Sequence, residues 1–363
     1  MKKVIYKLLR YINYVLIISL CISYLSIYIN PEKVWLFSFF GLAYPILLFI
    51  NISFVIFWII KKKRFFIIPL IIILLGWNYI SSFIQIPLKK SAKEFTEQTF
   101  KILSYNVRLF DLYDWQKESK NTAREIFEYI NQENPDIICF QEFYTKNNNL
   151  LSENSISKLL SSKYYFHIDY SIRNRKGNYG IATYSKYPIV KKGTIKFKNS
   201  TNLSIYTDIL INKDTIRLFN NHLQSIRFNR KNYSFISNSK VLNEDERMKE
   251  IKDISFRLRD AFIKRAGQAK IVSKYINQSP HPVFICGDFN DAPISYTYHT
   301  ISKNLKDSFK EAGRGFGNTY LGKFPSFRID YILYNDKIQC SSFQIPKVKL
   351  SDHYPVIGEF YLQ

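Results

Sequence analysis

The apolar residues of this chain are segregated at one end, and that segregation constrains the fold more than any other feature. From Tyr11 to about Gln85 the sequence is mostly Ile, Leu, Phe, Val and Tyr, whereas after Lys89 it has the mixed composition of a water-soluble domain. The mean hydropathy of -0.15 averages over these two unlike parts. Three stretches, Tyr11–Ile29, Val34–Ile60 and Phe65–Ile86, each run for roughly 19 residues or more without a charge. A helix rising ~1.5 Å per residue needs about that length to cross a ~30 Å hydrocarbon core. They predict a membrane region over residues 1–88 with three transmembrane helices, a polar linker over 89–99 and a second domain over 100–363. A cleavable leader explains the first stretch poorly, because no small-residue cleavage site follows it and two more apolar runs come after.

Basic residues set the expected orientation. Lys2, Lys3, Lys7 and Arg10 precede the first span, and Lys61, Lys62, Lys63 and Arg64 separate the second from the third. Cytoplasmic loops carry the excess of Lys and Arg. With three spans, the protein is expected to be a multi-pass integral membrane protein with its large domain on the extracytoplasmic side. Lys89, Lys90 and Lys93 pull the other way. The net charge of +23, from 52 Lys and Arg against 29 Asp and Glu, suits polyanionic ligands. A compositional bias toward Ile, Lys, Asn, Tyr and Phe across the whole chain accounts for it equally well. The four cysteines show no Cys-x-x-Cys spacing, and Cys139 and Cys286, inside short apolar runs, read as small core residues.

From about Phe100 short apolar strands alternate with helices and polar loops. Lys101–Val107, Asp136–Gln141, Leu203–Ile211, Thr215–Asn221, Pro282–Phe289, Asp330–Tyr334 and Val356–Leu362 are among the predicted strands. Thr122–Gln132 and a long segment reaching Tyr275 have the 3.6-residue apolar period of helices. Ser225 to about Asn243 reads as a long polar interruption. The pattern predicts two sheets packed face to face with helices outside.

Polar residues fall at the ends of those strands: Ser104-Tyr105-Asn106-Val107-Arg108, Gln141-Glu142, Asn221-His222-Leu223, Gly287-Asp288-Phe289-Asn290, Arg328-Ile329-Asp330-Tyr331 and Ser351-Asp352-His353. Strand ends in a layered fold are where side chains from distant sequence converge. Singly, each has a plain reading as a turn cap or a satisfied polar group. Together, carboxylates, carboxamides and two imidazoles suit a hard cation, a phosphate and proton transfer.

This ordered set, with Tyr179-Gly-Ile-Ala-Thr-Tyr-Ser-Lys-Tyr-Pro-Ile189 between its second and third members, resembles the endonuclease/exonuclease/phosphatase superfamily over about Phe100 to Gln363. His222 and Arg108 make it more similar to the two-histidine branch of deoxyribonucleases, sphingomyelinases and inositol-polyphosphate 5-phosphatases. The resemblance implies a four-layered α/β sandwich and a metal-dependent phosphoric ester hydrolase. It implies Mg2+, with Mn2+ an admissible substitute, held by Glu142 with Asn106 and Asp352 close by. It implies His353 as the base oriented by Asp330, Asp288 positioning the attacking water, and Asn290, His222 and Arg108 meeting the substrate phosphate, with His222 also acting at the leaving oxygen. His167, His281 and His299 lie outside these motifs and read as surface or loop residues. Nuclease-like cleavage of phosphodiesters is the first expectation. A lipid-headgroup phosphodiesterase or an inositol or sugar phosphatase follows, and an inactive binding module is the remote alternative. The expected partners are the lipid bilayer and a phosphate-containing polyanion, nucleic acid or lipid headgroup; no protein partner is implied.

Overall fold

Alternation of side chains along the strands builds the layers. A computed structural model describes residues 2–86, 99–112, 121–147, 150–160, 163–237, 243–322 and 327–362. The expected linker lies almost wholly outside them. In chain order the strands are β1 (Ile84–Gln85), β2 (Phe100–Asn106), β3 (Ile137–Thr145), β4 (Tyr165–Asn174), β5 (Gly177–Ser185), β6 (Ile189–Lys196), β7 (Leu203–Ile211), β8 (Asp214–His222), β9 (Val283–Asp288), β10 (Lys306–Asp307), β11 (Gly315–Phe316), β12 (Asp330–Tyr334), β13 (Ile338–Gln344) and β14 (Val356–Leu362). Two six-stranded sheets form, ordered β13-β14-β2-β3-β5-β4 and β10-β12-β9-β8-β7-β6. In β2, Ile102 faces the second sheet, where it joins Ile209, Leu218, Phe284 and Ile332 in the central core. Leu103 and Tyr105 face outward instead, onto Ile126, Phe127 and Ile130 of the helix Thr122–Glu133. The outer face of the second sheet is covered by Ala269, Val272 and Ile276 of the long helix Glu244–Asn277. The result is the expected mixed α/β arrangement of two packed sheets flanked by helices.

Each sheet contains one parallel pair, β2 with β3 and β8 with β9, and every other pairing within the sheets is antiparallel. Parallel neighbours need a crossover, which the two helices just named supply. The C-terminal ends of both pairs therefore lie at one edge of the sandwich. The stretch read as polar interruption is not structureless: a helix forms over Arg230–Ser237.

The N-terminal region corrects the expectation of three full-length spans. Among the described residues one helix, Lys3–Leu25, is long and apolar enough to cross a membrane, and the pair Leu36–Leu42 and Tyr44–Ile60, bent by 61°, counts as a second only if taken as one span. Pro45 opens the second member of that pair and lacks the N–H that would continue the first. The third apolar run breaks sooner. It is helical only over Arg64–Leu75, then turns at Gly76 into the short helix Trp77–Ile80 and β1. Inside the bundle the Trp58 indole N–H donates to Asn13 Oδ1 at 3.0 Å, and Asn51 Nδ2 donates to the Leu47 carbonyl at 2.8 Å and the Leu16 carbonyl at 3.2 Å. Buried amides are thus satisfied between helices rather than left bare.

The bundle is packed on the α/β part. Ile294 joins the apolar cluster of Leu20, Ile27 and Tyr44, Phe39 meets Phe262 edge-on at 5.3 Å, and Lys270 pairs with Glu32. A Cβ on Gly41 would meet the Ile294 carbonyl at 2.3 Å, so this contact depends on glycine.

One buried ion pair holds the loops under the site. Arg328, 1% exposed, binds both oxygens of Asp307 at 2.8 and 2.7 Å, and Tyr298 donates to the same carboxylate at 2.6 Å. Arg328→Met is expected to cost about 3–5 kcal/mol, since it leaves a buried carboxylate without its partner. A chemical denaturation midpoint would register that loss.

Candidate active site

The site forms where the two parallel pairs end. Asn106 closes β2 and reaches across the sandwich: its Nδ2 donates to Asp288 Oδ2 at 3.0 Å and lies 3.4 Å from Glu142 Oε1, while its Oδ1 accepts the Arg108 N–H at 3.1 Å. Glu142 sits in a bulge of β3, where the register with β5 shifts between Phe140 and Phe143. Its φ of +49° re-aims the carboxylate, a common use of bulges beside sites. Below it Gln141 donates to Asn220 Oδ1 of the other sheet at 2.7 Å, a buried amide link that fixes the separation of the sheets.

Asp288 ends β9 and is buried. It accepts the Asn290 N–H at 2.7 Å on Oδ1 and the Asn290 side-chain amide at 3.0 Å on Oδ2. Asn290 has φ +52° and donates also to the Leu223 carbonyl at 3.1 Å. Asp330, which opens the adjacent strand β12, pairs in register with Asp288. Its carboxylate meets His353 Nδ1 at 2.9 Å, and its own N–H donates to Thr319 Oγ1 at 3.2 Å. The Tyr320 ring stands edge-on to His353 at 5.1 Å. His222 Nε2 faces Glu142 at 3.7 Å and Asp288 at 3.9 Å. It is a buried nitrogen with no hydrogen bond to any described protein group. Arg108 pairs with Asp352 at 3.5 Å. It begins a left-handed turn, with φ between +46° and +57° at all four residues Arg108–Asp111. That conformation costs about 1–2 kcal/mol per residue. Burial of Phe110 in a stack with Phe127 at 5.3 Å opposes it.

All the residues expected from the sequence therefore gather at one place. Thr319 and Tyr320 join them unannounced, from a loop without apolar periodicity, and Tyr233 joins from the helix Arg230–Ser237. Asp288, Asp330 and His353 offer ligand atoms within 4.8 Å of one another, a different trio from the expected metal set. The Asp330 carboxylate is already bonded to His353 Nδ1, so we read this trio as a hydrogen-bonded dyad with a third carboxylate beside it. The expectation for His167 is corrected. It is buried on β4, bonds Thr207 at 2.9 Å, and burial lowers its pKa to about 4.

Electrostatics divide the two site histidines. Burial alone would discharge His353, but Asp330, Asp288 and Asp352 outweigh it and raise the imidazole to about 10. Burial, with His353 and Arg227 adding to it, drives His222 down to about 3. Burial likewise lifts Asp288 to about 7 against the pull of His353. It holds Glu142 above the usual carboxylate range, reinforced by Asp352 and opposed by His353. In the metal-free protein at neutral pH, His353 is thus protonated and His222 is not.

A cleft of about 740 Å³ opens over Glu142, Asn290, Asp352 and His353. Residues 103–353 match the Endonuclease/Exonuclease/phosphatase family. The chain belongs to that family. Its fold is accordingly that of a phosphoester hydrolase, and the enzymes of the family generally use divalent metals. Residues 6–83 match a second family, described as Domain of unknown function (DUF8431). No curated protein sequence matches the chain. Among solved structures it is similar to an endonuclease/exonuclease/phosphatase family protein from Leptotrichia buccalis, with TM-score 0.51 and 17% identity over 72% of this chain and 100% of that one. A D. rerio TDP2 humanised by 14 mutations gives 0.52 and 16% over 72% and 99%. The human Nocturnin catalytic domain with bound sulfate gives 0.51 and 16% over 74% and 97%. At these identities the likeness is one of fold.

Proposed function

We propose that the protein is a membrane-anchored, divalent-metal-dependent hydrolase of phosphate esters, phosphodiesters first. The observation that carries this reading is the convergence of Glu142, Asn106, Asp288, His222, Asn290 and the Asp330–His353 dyad on one cleft from both sheets. The donors suit a hard cation. Glu142 is a partly buried carboxylate facing the cleft beside a second one, Asp352, with the Asn106 amide in reach, and an all-oxygen set of this kind favours Mg2+, with Mn2+ as a substitute. When bound, the cation supplies Lewis-acid polarisation of a phosphoryl oxygen and offsets developing charge.

The chain's own groups do the rest. Asp330 fixes the tautomer of His353, the base toward the attacking water, and Asp288 orients that water. The orphaned His222 nitrogen donates to a phosphoryl oxygen on the leaving side, Asn290 donates to another on releasing its amide from Asp288 or the Leu223 carbonyl, and Arg108 adds positive charge. Base action requires a neutral His353, whereas three carboxylates hold its proton in the metal-free site. Held by Glu142 and Asp352, a cation would oppose the pull of those carboxylates on the His353 proton. NMR titration of His353 is therefore expected to show its pKa falling when Mg2+ is added.

Membrane anchoring is supported by the surface of the N-terminal region. Among the described residues, 27 of the 37 exposed large apolar side chains belong to residues 4–86, far beyond what a water-facing surface tolerates. Basic residues gather at the end of the bundle away from the cleft, where Arg10 lies over the Phe65 ring at 5.6 Å, next to Lys61–Arg64. That polarity supports an extracytoplasmic catalytic domain.

The full chain in detergent, given bis(p-nitrophenyl) phosphate, should turn it over with Mg2+ and stop on chelation. Turnover indifferent to chelation, or none with any divalent metal, would reject the proposal. Mg2+ at about 100 times its Kd should also stabilise the fold by about 2.7 kcal/mol, read as a rise in Tm that Glu142→Ala abolishes.

A further inference from the structure

One wall of the catalytic cleft belongs to the N-terminal region. Leu42, at the end of the helix Leu36–Leu42, lines the cleft together with Leu258 and Phe262 of the long helix and with Phe228. An aromatic track leads there from the outside of the apolar bundle. Trp35, 39% exposed, meets Phe39 edge-on at 5.8 Å, and Phe39 meets Phe262 at 5.3 Å. Arg108, Arg227 and Arg230 line the same cleft. On the other side of Glu142 a smaller recess of about 170 Å³ includes Ser171, Thr201, Asn202 and His222.

We propose that the substrate is a bilayer-resident amphiphile, a phospholipid-like phosphodiester. Its apolar part follows the track to Leu42 and Phe262, its phosphate lies among the arginines at Glu142, and its polar substituent enters the smaller recess. This rests on the hydrolase reading above. A nucleic-acid strand carries a phosphate on both sides of the scissile one. One of these would be set against Leu42, Leu258 and Phe262, where Arg265, over the Phe262 ring at 5.3 Å, is already paired with Asp291 at 3.0 Å. A lipid places hydrocarbon there instead, and tryptophan at the entrance is the side chain favoured at the headgroup level of a bilayer. In the reaction water adds to phosphorus, one P–O bond breaks, and the departing alcohol takes the proton that the water gives up.

The test uses the full chain reconstituted into vesicles of equal parts phosphatidylethanolamine and phosphatidylglycerol with Mg2+. Loss of either phospholipid is followed by mass spectrometry, with bis(p-nitrophenyl) phosphate and plasmid DNA as parallel substrates. Phospholipid is expected to be consumed. Leu42→Glu and the more exposed Trp35→Glu are expected to lower the ratio of lipid to soluble-diester kcat/KM about tenfold, chiefly through KM. Soluble-diester turnover without phospholipid loss, preference for plasmid DNA, or an unchanged ratio in both variants would overturn the inference. Failure on the soluble diester itself would instead remove the hydrolase reading, and this one with it.

Discussion

Glu142→Ala is expected to lower kcat/KM by about 10³-fold or more while the protein stays folded. The size follows from the position of the carboxylate. It is the acidic group that faces the cleft from β3, next to Asp352 and the Asn106 amide, and losing a centre of charge stabilisation at a reacting phosphate costs several kcal/mol of the barrier. Stability should not fall with activity, because burial and Asp352 already disfavour the ionised form. Alanine removes that unfavourable charge, and the bulge remains. Glu142→Gln keeps the shape and loses the charge, so it should be impaired almost as severely. Single-turnover rates on the soluble diester, beside thermal melts of each variant, decide the matter. A loss below tenfold would take Glu142 out of the metal centre.

Asp330→Asn is expected to cost about 10⁴-fold in kcat, as loss of the orienting carboxylate does in a hydrolytic His–Asp pair. Asp330 meets His353 Nδ1 at 2.9 Å and is the largest of the charges that lift that imidazole to about 10. Asparagine keeps the outline, can present its amide N–H to the ring, and withdraws the charge. The His353 pKa must then fall, because a neighbouring carboxylate favours the protonated imidazole. The limb of the pH–rate profile that belongs to His353 should move to lower pH in Asp330→Asn. A variant with reduced kcat but an unmoved limb would mean that Asp330 acts only as scaffold.

The strands were legible because their apolar runs are short and end in polar residues. Leu203–Ile211, Asp330–Tyr334 and Val356–Leu362 have the predicted bounds. Strand β13, Ile338–Gln344, was missed: it lies at a sheet edge, only Ile338 and Phe343 of its residues are buried, and Cys-Ser-Ser in its middle carries no alternation. The helix Arg230–Ser237 was hidden by polarity. The third apolar run showed a length without a charge, a pattern blind to where the backbone turns, although Gly76 was there to be weighed. At the site the converging side chains were visible as strand-end motifs. Their protonation was not, since it depends on Asp288 and Asp330, brought to His353 from separate strands, as well as on the adjacent Asp352. His167 failed for the same reason: Thr207, its buried partner, is forty residues away on another strand.

The placing of β14 has a consequence for when the enzyme becomes active. β14 lies between β13 and β2, and β2 pairs with β14 along Phe100–Ser104. On the ribosome β2 emerges just after the apolar bundle, whereas β14 emerges after every other described strand. Until then β2 keeps an open edge, and His353, three residues ahead of β14, has not been delivered to Asp330. A nascent chain would be largely folded, yet inert until β14 closes the sheet. A truncation ending before Val356 should therefore hydrolyse nothing.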